Sequence, residues 1–419
     1  MTTFMLRALL ICSCAVAFTA CSNDSTTKQG PANPTGLGPV GTETEPKNDN
    51  GSNATTKQQF QPVLDMGQRA VAWLNLVNKN RDLNNRLNLA DRTTKNPVPP
   101  EKPNVTSVKS ILEKFNTRLS EIPESMRPYL IDKKELIEAP PLEDVAFLKS
   151  IRDLNSTYQA AVRWLGQEQW FSDYAANDVY DIRGYYFMQK DPTSEQKVKE
   201  FYNNSAEDQA TVKSWLVSIC HNSTLATDKC AAKLEAAKTN EAVYTYYQYY
   251  LAKSKKAYDD FFSVNPVRKD ISWSPDKKTI TQNFIDPNVA KVANWLKTNI
   301  EEEWKNAGFQ LIINFVKQNA ISPFIVFEKG VTPHVSGDNW ETITMDPDYS
   351  LDDYNTQWTI RHEFGHILGF PDCYLEFYNS TEKTMTYYTI EPDNLMCAWG
   401  GKLQPSHETE LRKAYTTVQ

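Results

Sequence analysis

The stretch that most constrains this chain is residues 360–372, Ile-Arg-His-Glu-Phe-Gly-His-Ile-Leu-Gly-Phe-Pro-Asp, where His-Glu-x-x-His is followed by a glycine and then a carboxylate. Positions i and i+4 of a helix lie one above the other, so His362 and His366 present both imidazoles to one metal ion, with Glu363 beside them. The pattern is that of a zinc site with its own general base. Apolar Ile360, Phe364, Ile367 and Leu368 take the remaining faces, as in a helix buried beneath a sheet. Gly369 supplies the left-handed conformation that ends such a helix and Pro371 stops it from restarting, so the turn carries Asp372 back toward the histidines. Histidine is scarce, five in 419 residues, and a chance His-Glu-x-x-His then has a probability of roughly 1 in 100 or less at ordinary Glu usage.

Extended to the carboxylate, His362-Glu363-x-x-His366-x-x-Gly369-x-x-Asp372 resembles the zinc motif of the metzincin metallopeptidases, in the snapalysin-like form whose third ligand is Asp instead of His. Asn394-Leu395-Met396-Cys397 is similar to the tight turn that carries a methionine beneath the metal in that family. The resemblance covers about the last 150 residues. It implies one catalytic Zn2+ held by His362, His366 and Asp372, Glu363 as general base, Met396 as the methionine of the turn, and a protein or peptide substrate. Most metzincins have His where this chain has Asp372, which leaves subfamily and specificity open. The rivals for third ligand are Glu376 and Glu391, acting as a downstream carboxylate does in thermolysin-like zinc enzymes, and His334 or His407 arriving from elsewhere. Asp372 is preferred because three residues past Gly369 are about the reach needed to fold the chain back to the metal. Tyr387, Tyr388 and His407 are candidates by residue type for stabilising an oxyanion.

Residues 1–20 hold Arg7, an apolar run and small residues before Cys21, which reads as an export signal too short to span a membrane. Phe18-Thr19-Ala20-Cys21 resembles a bacterial lipobox, with Phe in place of the more usual Leu, and the resemblance implies a lipid-bearing Cys21. An ordinary secretory signal is the alternative. Residues 22–57 are rich in Ser, Thr, Asn, Gly and Pro and have almost nothing to bury, so they read as a disordered tether. As a coil it has an r.m.s. span of roughly 30 to 35 Å.

The remainder is more than one core usually holds and reads as two domains. Residues 58–269 have helical periodicity throughout, with one stripe through Val108, Ile111, Leu112, Phe115 and Leu119 and another through Val145, Leu148, Ile151, Leu154, Val162 and Leu165. Further helices are expected at 63–79, at 207–220 behind a Ser205/Asp208 cap, and at 240–262. This part is expected to be an all-helical domain. Its run Tyr244, Tyr246, Tyr247, Tyr249 and Tyr250 offers either a binding face for sugars or partners or ordinary packing, and helical spacing favours packing. Residues 270–419 change in kind, with strands at 279–284, 309–316, 323–327 and 339–345, a helix at 288–306, then the motif helix, a loop, the methionine turn and a helix at 406–418. The expected class is therefore an α+β metzincin-like catalytic domain after an all-α domain.

A net charge of -7 without a basic cluster argues against nucleic acid. The acidic loop Asp346, Asp348, Asp352, Asp353 reads as a solvated face, with Ca2+ as the alternative, because its spacing matches no calcium loop of defined ligand order. Of seven cysteines, Cys12 and Cys14 leave with the signal and Cys21 takes lipid. The four left in an oxidising compartment pair by proximity as Cys220 with Cys230 and Cys373 with Cys397. Taken together, the residues describe an exported zinc endopeptidase, anchored to a bacterial membrane through an N-terminal lipid at the outer membrane or cell surface. The competing class is a non-enzymatic surface lipoprotein whose helical domain binds a partner or glycan and whose zinc site is structural.

Overall fold

Residues 55–90, 103–173, 180–224, 227–265, 268–379 and 382–416 are described by a computed structural model of the chain. Helix α1 (Thr56–Asn78) starts where the Thr55 hydroxyl accepts the Gln58 amide and the Gln58 side chain returns to the Thr55 amide, satisfying two donors that a helix start leaves open. Strand β1 (Asn104–Ser107) leads into α2 (Val108–Glu121), which Ser107 and Ser110 cap in the same reciprocal way. Then come short α3 (Arg127–Leu130) and long α4 (Asp144–Asp173). Phe147, Ile151, Leu154, Ala161 and Trp164 of α4 bury against Phe60, Trp73, Ile111 and Phe115. Val145, expected in that stripe, lies on the outer face at 84% exposure, because the buried row begins at Phe147.

A second helical group comprises α5 (Arg183–Lys190), α6 (Ser194–Lys199), α7 (Ala206–Thr224), α8 (Thr227–Ala236) and α9 (Asn240–Phe262). Ser205 accepts the Asp208 amide at the start of α7, as its spacing predicts. A disulfide joins Cys220 of α7 to Cys230 of α8 with the Cα atoms 5.7 Å apart, inside a core with Leu216, Val243, Tyr246, Tyr247 and Tyr250. The tyrosine run is thus mostly packed, while Tyr249 points outward at 77% exposure.

The rest alternates strands and helices: β2 (Ile271–Trp273), β3 (Thr279–Ile285), α10 (Ala290–Glu303), β4 (Gln310–Val316), β5 (Phe324–Phe327), β6 (His334–Ser336), β7 (Thr342–Met345), α11 (Tyr354–Ile367), β8 (Tyr374–Asn379), β9 (Thr384–Thr389) and α12 (Pro405–Thr416). Strands β3 and β4 run parallel, from Thr279 opposite Gln310 to Ile285 opposite Val316, with β2 antiparallel on the other side of β3. Helix α10 is the crossover that a parallel pair requires. A second sheet has the order β5-β7-β6 and a third β1-β9-β8. Among the described residues the fold is mixed α/β, twelve helices with nine strands in small sheets.

Two expectations are corrected here. The first part of the chain is not wholly helical: its β-branched Val105 and Thr106 pair antiparallel with β9, taking an edge that would otherwise be bare. The sheet therefore crosses the joint drawn from the sequence between residues 269 and 270, and Tyr378 and Met385 are buried in the core of α1, α2 and α4. The segment after Asp372, read as a loop, is the antiparallel hairpin β8–β9. All described residues belong to one compact unit, Pro31–Gln419. Among them no helix is long and apolar enough to cross a membrane. Cys21 and the tether up to residue 54 lie outside the described residues.

Candidate metal centre

Helix α11 carries the motif and is fixed along its length. Asp353 caps its start by accepting the Asn355 amide at 2.8 Å. Trp358 donates its indole N–H to the Gly401 carbonyl, and Trp304 donates to the carbonyl of Arg361, each at 3.0 Å. The buried Arg361 guanidinium reaches Glu302 at 3.0 Å and Asn299 at 3.1 Å on α10. The helix ends as its sequence predicts, with Gly369 at φ +90°, the Gly369 amide on the His366 carbonyl and the Phe370 amide on the Gly365 carbonyl. These are the paired bonds of a Schellman cap, which needs a residue free to take positive φ.

The cap folds Asp372 back onto the histidines. Its Oδ1 lies 3.0 Å from Nε2 of His362 and 3.4 Å from Nε2 of His366. The other ring nitrogens are committed: Nδ1 of His362 to the Leu395 carbonyl and Nδ1 of His366 to the Phe370 carbonyl, each at 2.8 Å. A neutral imidazole that donates through Nδ1 keeps a lone pair on Nε2, and both Nε2 atoms face a buried carboxylate that has no hydrogen-bond partner outside these two rings among the described residues. Three acceptors therefore converge within 4.8 Å in a buried place. Zinc–nitrogen and zinc–oxygen bonds of about 2.0 to 2.1 Å set at tetrahedral angles put neighbouring donors about 3.3 Å apart, so the spacing and donor set fit such an ion. Burial lowers the pKa of His366, but Asp372 overcomes it and raises it to about 9. Burial likewise opposes the Asp372 charge, and the two histidines hold its carboxyl well below the usual carboxylate range. Without a cation the group keeps a proton that a metal ion would displace.

Beneath this group lies the turn at Asn394–Cys397, closed by the Cys397 amide on the Asn394 carbonyl at 3.0 Å. Leu395 of the turn supplies the carbonyl that orients His362, and the Met396 sulfur packs so closely on Gly365 of α11 that a Cβ there would overlap it. The second disulfide joins Cys373 to Cys397 with the Cα atoms 4.2 Å apart. The Cys373 amide also donates to the Met396 carbonyl at 3.0 Å. The residue after Asp372 is thereby bound to the residue after Met396.

The rival positions fall elsewhere. Glu376 is buried in an ion pair with Arg163 of α4, and Glu391 accepts from Asn394 at 3.0 Å. His334 lines the cleft with Nδ1 on the Thr332 carbonyl, outside the donor group. His407 is packed against Trp304 and Phe370, where burial lowers its pKa to about 4. Of the oxyanion candidates only Tyr387 reaches the cleft; Tyr388 is covered by Arg183, 3.7 Å above its ring. In the acidic loop, Asp346 accepts two backbone amides, Asp348 pairs with Lys329, Asp352 pairs with Arg86 and Lys291, and Asp353 caps α11. These carboxylates form no joint metal-binding group among the described residues.

His362, Glu363 and His366 floor a cleft of about 430 Å³, a size usual for ligand sites. Its walls include Gln159 and Arg163 of α4, Tyr374 and Tyr387 of the hairpin, His334 and Trp399. The α4 wall does not follow from the apolar stripe of that helix, although polar Asn155, Gln159, Arg163 and Gln167 recur every four residues along α4, and all four line the cleft. No family model, curated protein or solved structure matches the chain.

Proposed function

We propose that this chain is a zinc-dependent endopeptidase of metzincin-like type, exported and tethered to a membrane through lipid on Cys21. The observation that carries the reading is the convergence of the Nε2 atoms of two histidines on the floor of a cleft, each with its Nδ1 committed to a carbonyl, upon the buried Asp372 carboxylate. His362, His366 and Asp372 would hold a zinc ion, which would supply Lewis-acid polarisation of a scissile carbonyl and would acidify the attacking water. Glu363, buried next to His362 on the cleft floor, takes the attacking water's proton on its carboxylate and returns it to the departing amine. The carbonyls of Leu395 and Phe370 hold the imidazoles in the tautomer that leaves Nε2 free. Asp372 makes the donor set anionic, which weakens the pull on water slightly relative to three histidines.

A closed structural zinc site has four protein donors, usually rich in Cys. The group among the described residues has three, faces a cleft and has a carboxylate beside it that no structural site requires. Two disulfides suit an oxidising compartment, consistent with export. The test is cleavage of a peptide library by the purified chain with and without a zinc chelator. Cleavage at internal bonds, lost on chelation and restored by zinc, is expected. A zinc-loaded chain that cleaves nothing in the library overturns the reading.

A further inference from the structure

Strand β8 starts two residues after Asp372, so whatever holds that strand also holds the third donor of the metal group. Its alternation puts Tyr374 and Glu376 on one face, and Tyr387 of β9 stands directly opposite Glu376. The rings of Tyr374 and Tyr387 are 5.1 Å apart. One side chain from the helical part of the molecule sits on this platform. Arg163 of α4 is 5.4 Å from the ring centre of Tyr374 and 5.8 Å from that of Tyr387, and both its Nε, at 3.2 Å, and its Nη2 donate to the same Glu376 oxygen. Glu376 is 4% exposed, so without Arg163 it is a buried, unpaired carboxylate, a state that a chain relieves by moving or by taking up a proton. Arg163 also keeps 39% of its side-chain exposure, which places the contact on the wall of the cleft.

From these contacts, and resting on the metal reading above, we infer that Arg163 is a positioning residue for the metal site, clamping β8 through Glu376, Tyr374 and Tyr387 so that Asp372 is held against His362 and His366. The clamp is one of two. The disulfide at Cys373 and the Cys373 amide tie the residue before the strand to the methionine turn, and the guanidinium ties the first half of the strand to α4. Groups that orient metal ligands from outside the donor set typically change metal affinity 10- to 100-fold when removed. The helical part is then a component of the site, and metal binding in turn firms the contact between α4 and β8, because coupling between two sites is reciprocal.

The experiment compares zinc dissociation constants, by competition with a chromophoric chelator, for the wild-type chain, Arg163→Met, Arg163→Lys, Glu376→Gln and the control Cys220→Ser. Arg163→Met is expected to weaken zinc about 10- to 100-fold. Arg163→Lys should recover part of the loss, since it keeps the charge but not the two-nitrogen grip on one oxygen. Adding Glu376→Gln to Arg163→Met should cost little more, because both remove the same contact. Cys220→Ser, in a separate core, should lower the melting temperature and leave zinc affinity unchanged, which separates loss of stability from loss of positioning. Hydrogen exchange adds an activity-free readout: zinc should protect the amides of α4 around Arg163 in the wild type and not in Arg163→Met. Wild-type uptake of zinc with affinities within twofold in both Arg163 variants overturns this inference alone. A wild-type chain that takes up no zinc overturns the metal reading and this inference with it.

Discussion

The floor and the wall of the cleft are built by different rules. On the floor, His362, Glu363 and His366 come from one helix whose cap brings the buried Asp372 against the two histidines, and each histidine is oriented by a carbonyl close in space, at Leu395 or Phe370. On the wall, the decisive contact joins Arg163 to Glu376 across 213 positions of sequence. Local spacing states which chemistry the floor offers. It says nothing of the wall, where long-range packing of α4 on the β8–β9 hairpin shapes access and braces a donor. Local spacing therefore sets the donor group, while long-range contacts shape the cleft around it.

Substitutions that separate floor from wall sharpen this contrast. The largest effect is expected on the floor: Glu363→Ala removes the proton carrier and leaves the three donors, so kcat/KM on a peptide from the library should fall by about 10²- to 10⁴-fold with zinc content unchanged. A loss under tenfold contradicts the role given to Glu363. Next come the disulfides, each closing a short loop. Cys373→Ser and Cys220→Ser should each lower unfolding free energy by about 2 to 4 kcal/mol in urea titrations, but only Cys373→Ser should also loosen zinc, because Cys373 adjoins Asp372. Equal zinc affinity in both variants removes the distinction between a brace at the site and one remote from it.

Two buried histidines make a finer comparison. Asp372 raises the pKa of His366, whereas His407, packed against Trp304 and Phe370, accepts the Gln404 amide on Nδ1 at 2.8 Å and is lowered by burial to about 4. Unfolded, His407 takes a proton near pH 6.5, so its contribution is intact above that pH and is lost as pH falls toward 4, by about 3 kcal/mol in all. His407→Phe should start less stable and lose less between pH 6.5 and 4, read as urea midpoints of the metal-free chain. Identical slopes in the two proteins contradict the buried, neutral His407. The smallest effect is expected at the tyrosine run. Exposed Tyr249→Ser should change stability by no more than about 0.5 kcal/mol, while buried Tyr250→Ala should cost about 3 kcal/mol or more.

Much of the floor was legible because its signals are short-range. The period of α11, the glycine offset that ends it, the crossover β3–α10–β4 and both disulfide pairs follow from spacing within a few tens of residues. Helix α7 is legible through its Ser205/Asp208 cap. The three-residue strands β2 and β6 are too short to display a period, and β1 takes its conformation from β9 rather than from its own residues. The hairpin β8–β9 replaces the loop expected after Asp372, although Tyr and Thr recur along it. Nothing in the spacing around Arg163 points to its partners; only the folded chain brings Glu376, Tyr374 and Tyr387 beneath it.

The central claim is that Asp372 completes a three-donor metal site with His362 and His366. The most direct measurement is zinc per chain by mass spectrometry after zinc loading and exhaustive dialysis, for wild type, Asp372→Ala and Asp372→His. Wild type and Asp372→His should each retain about one zinc, and Asp372→Ala should lose it together with peptide cleavage. Tightly held, near-stoichiometric zinc in Asp372→Ala would contradict the claim.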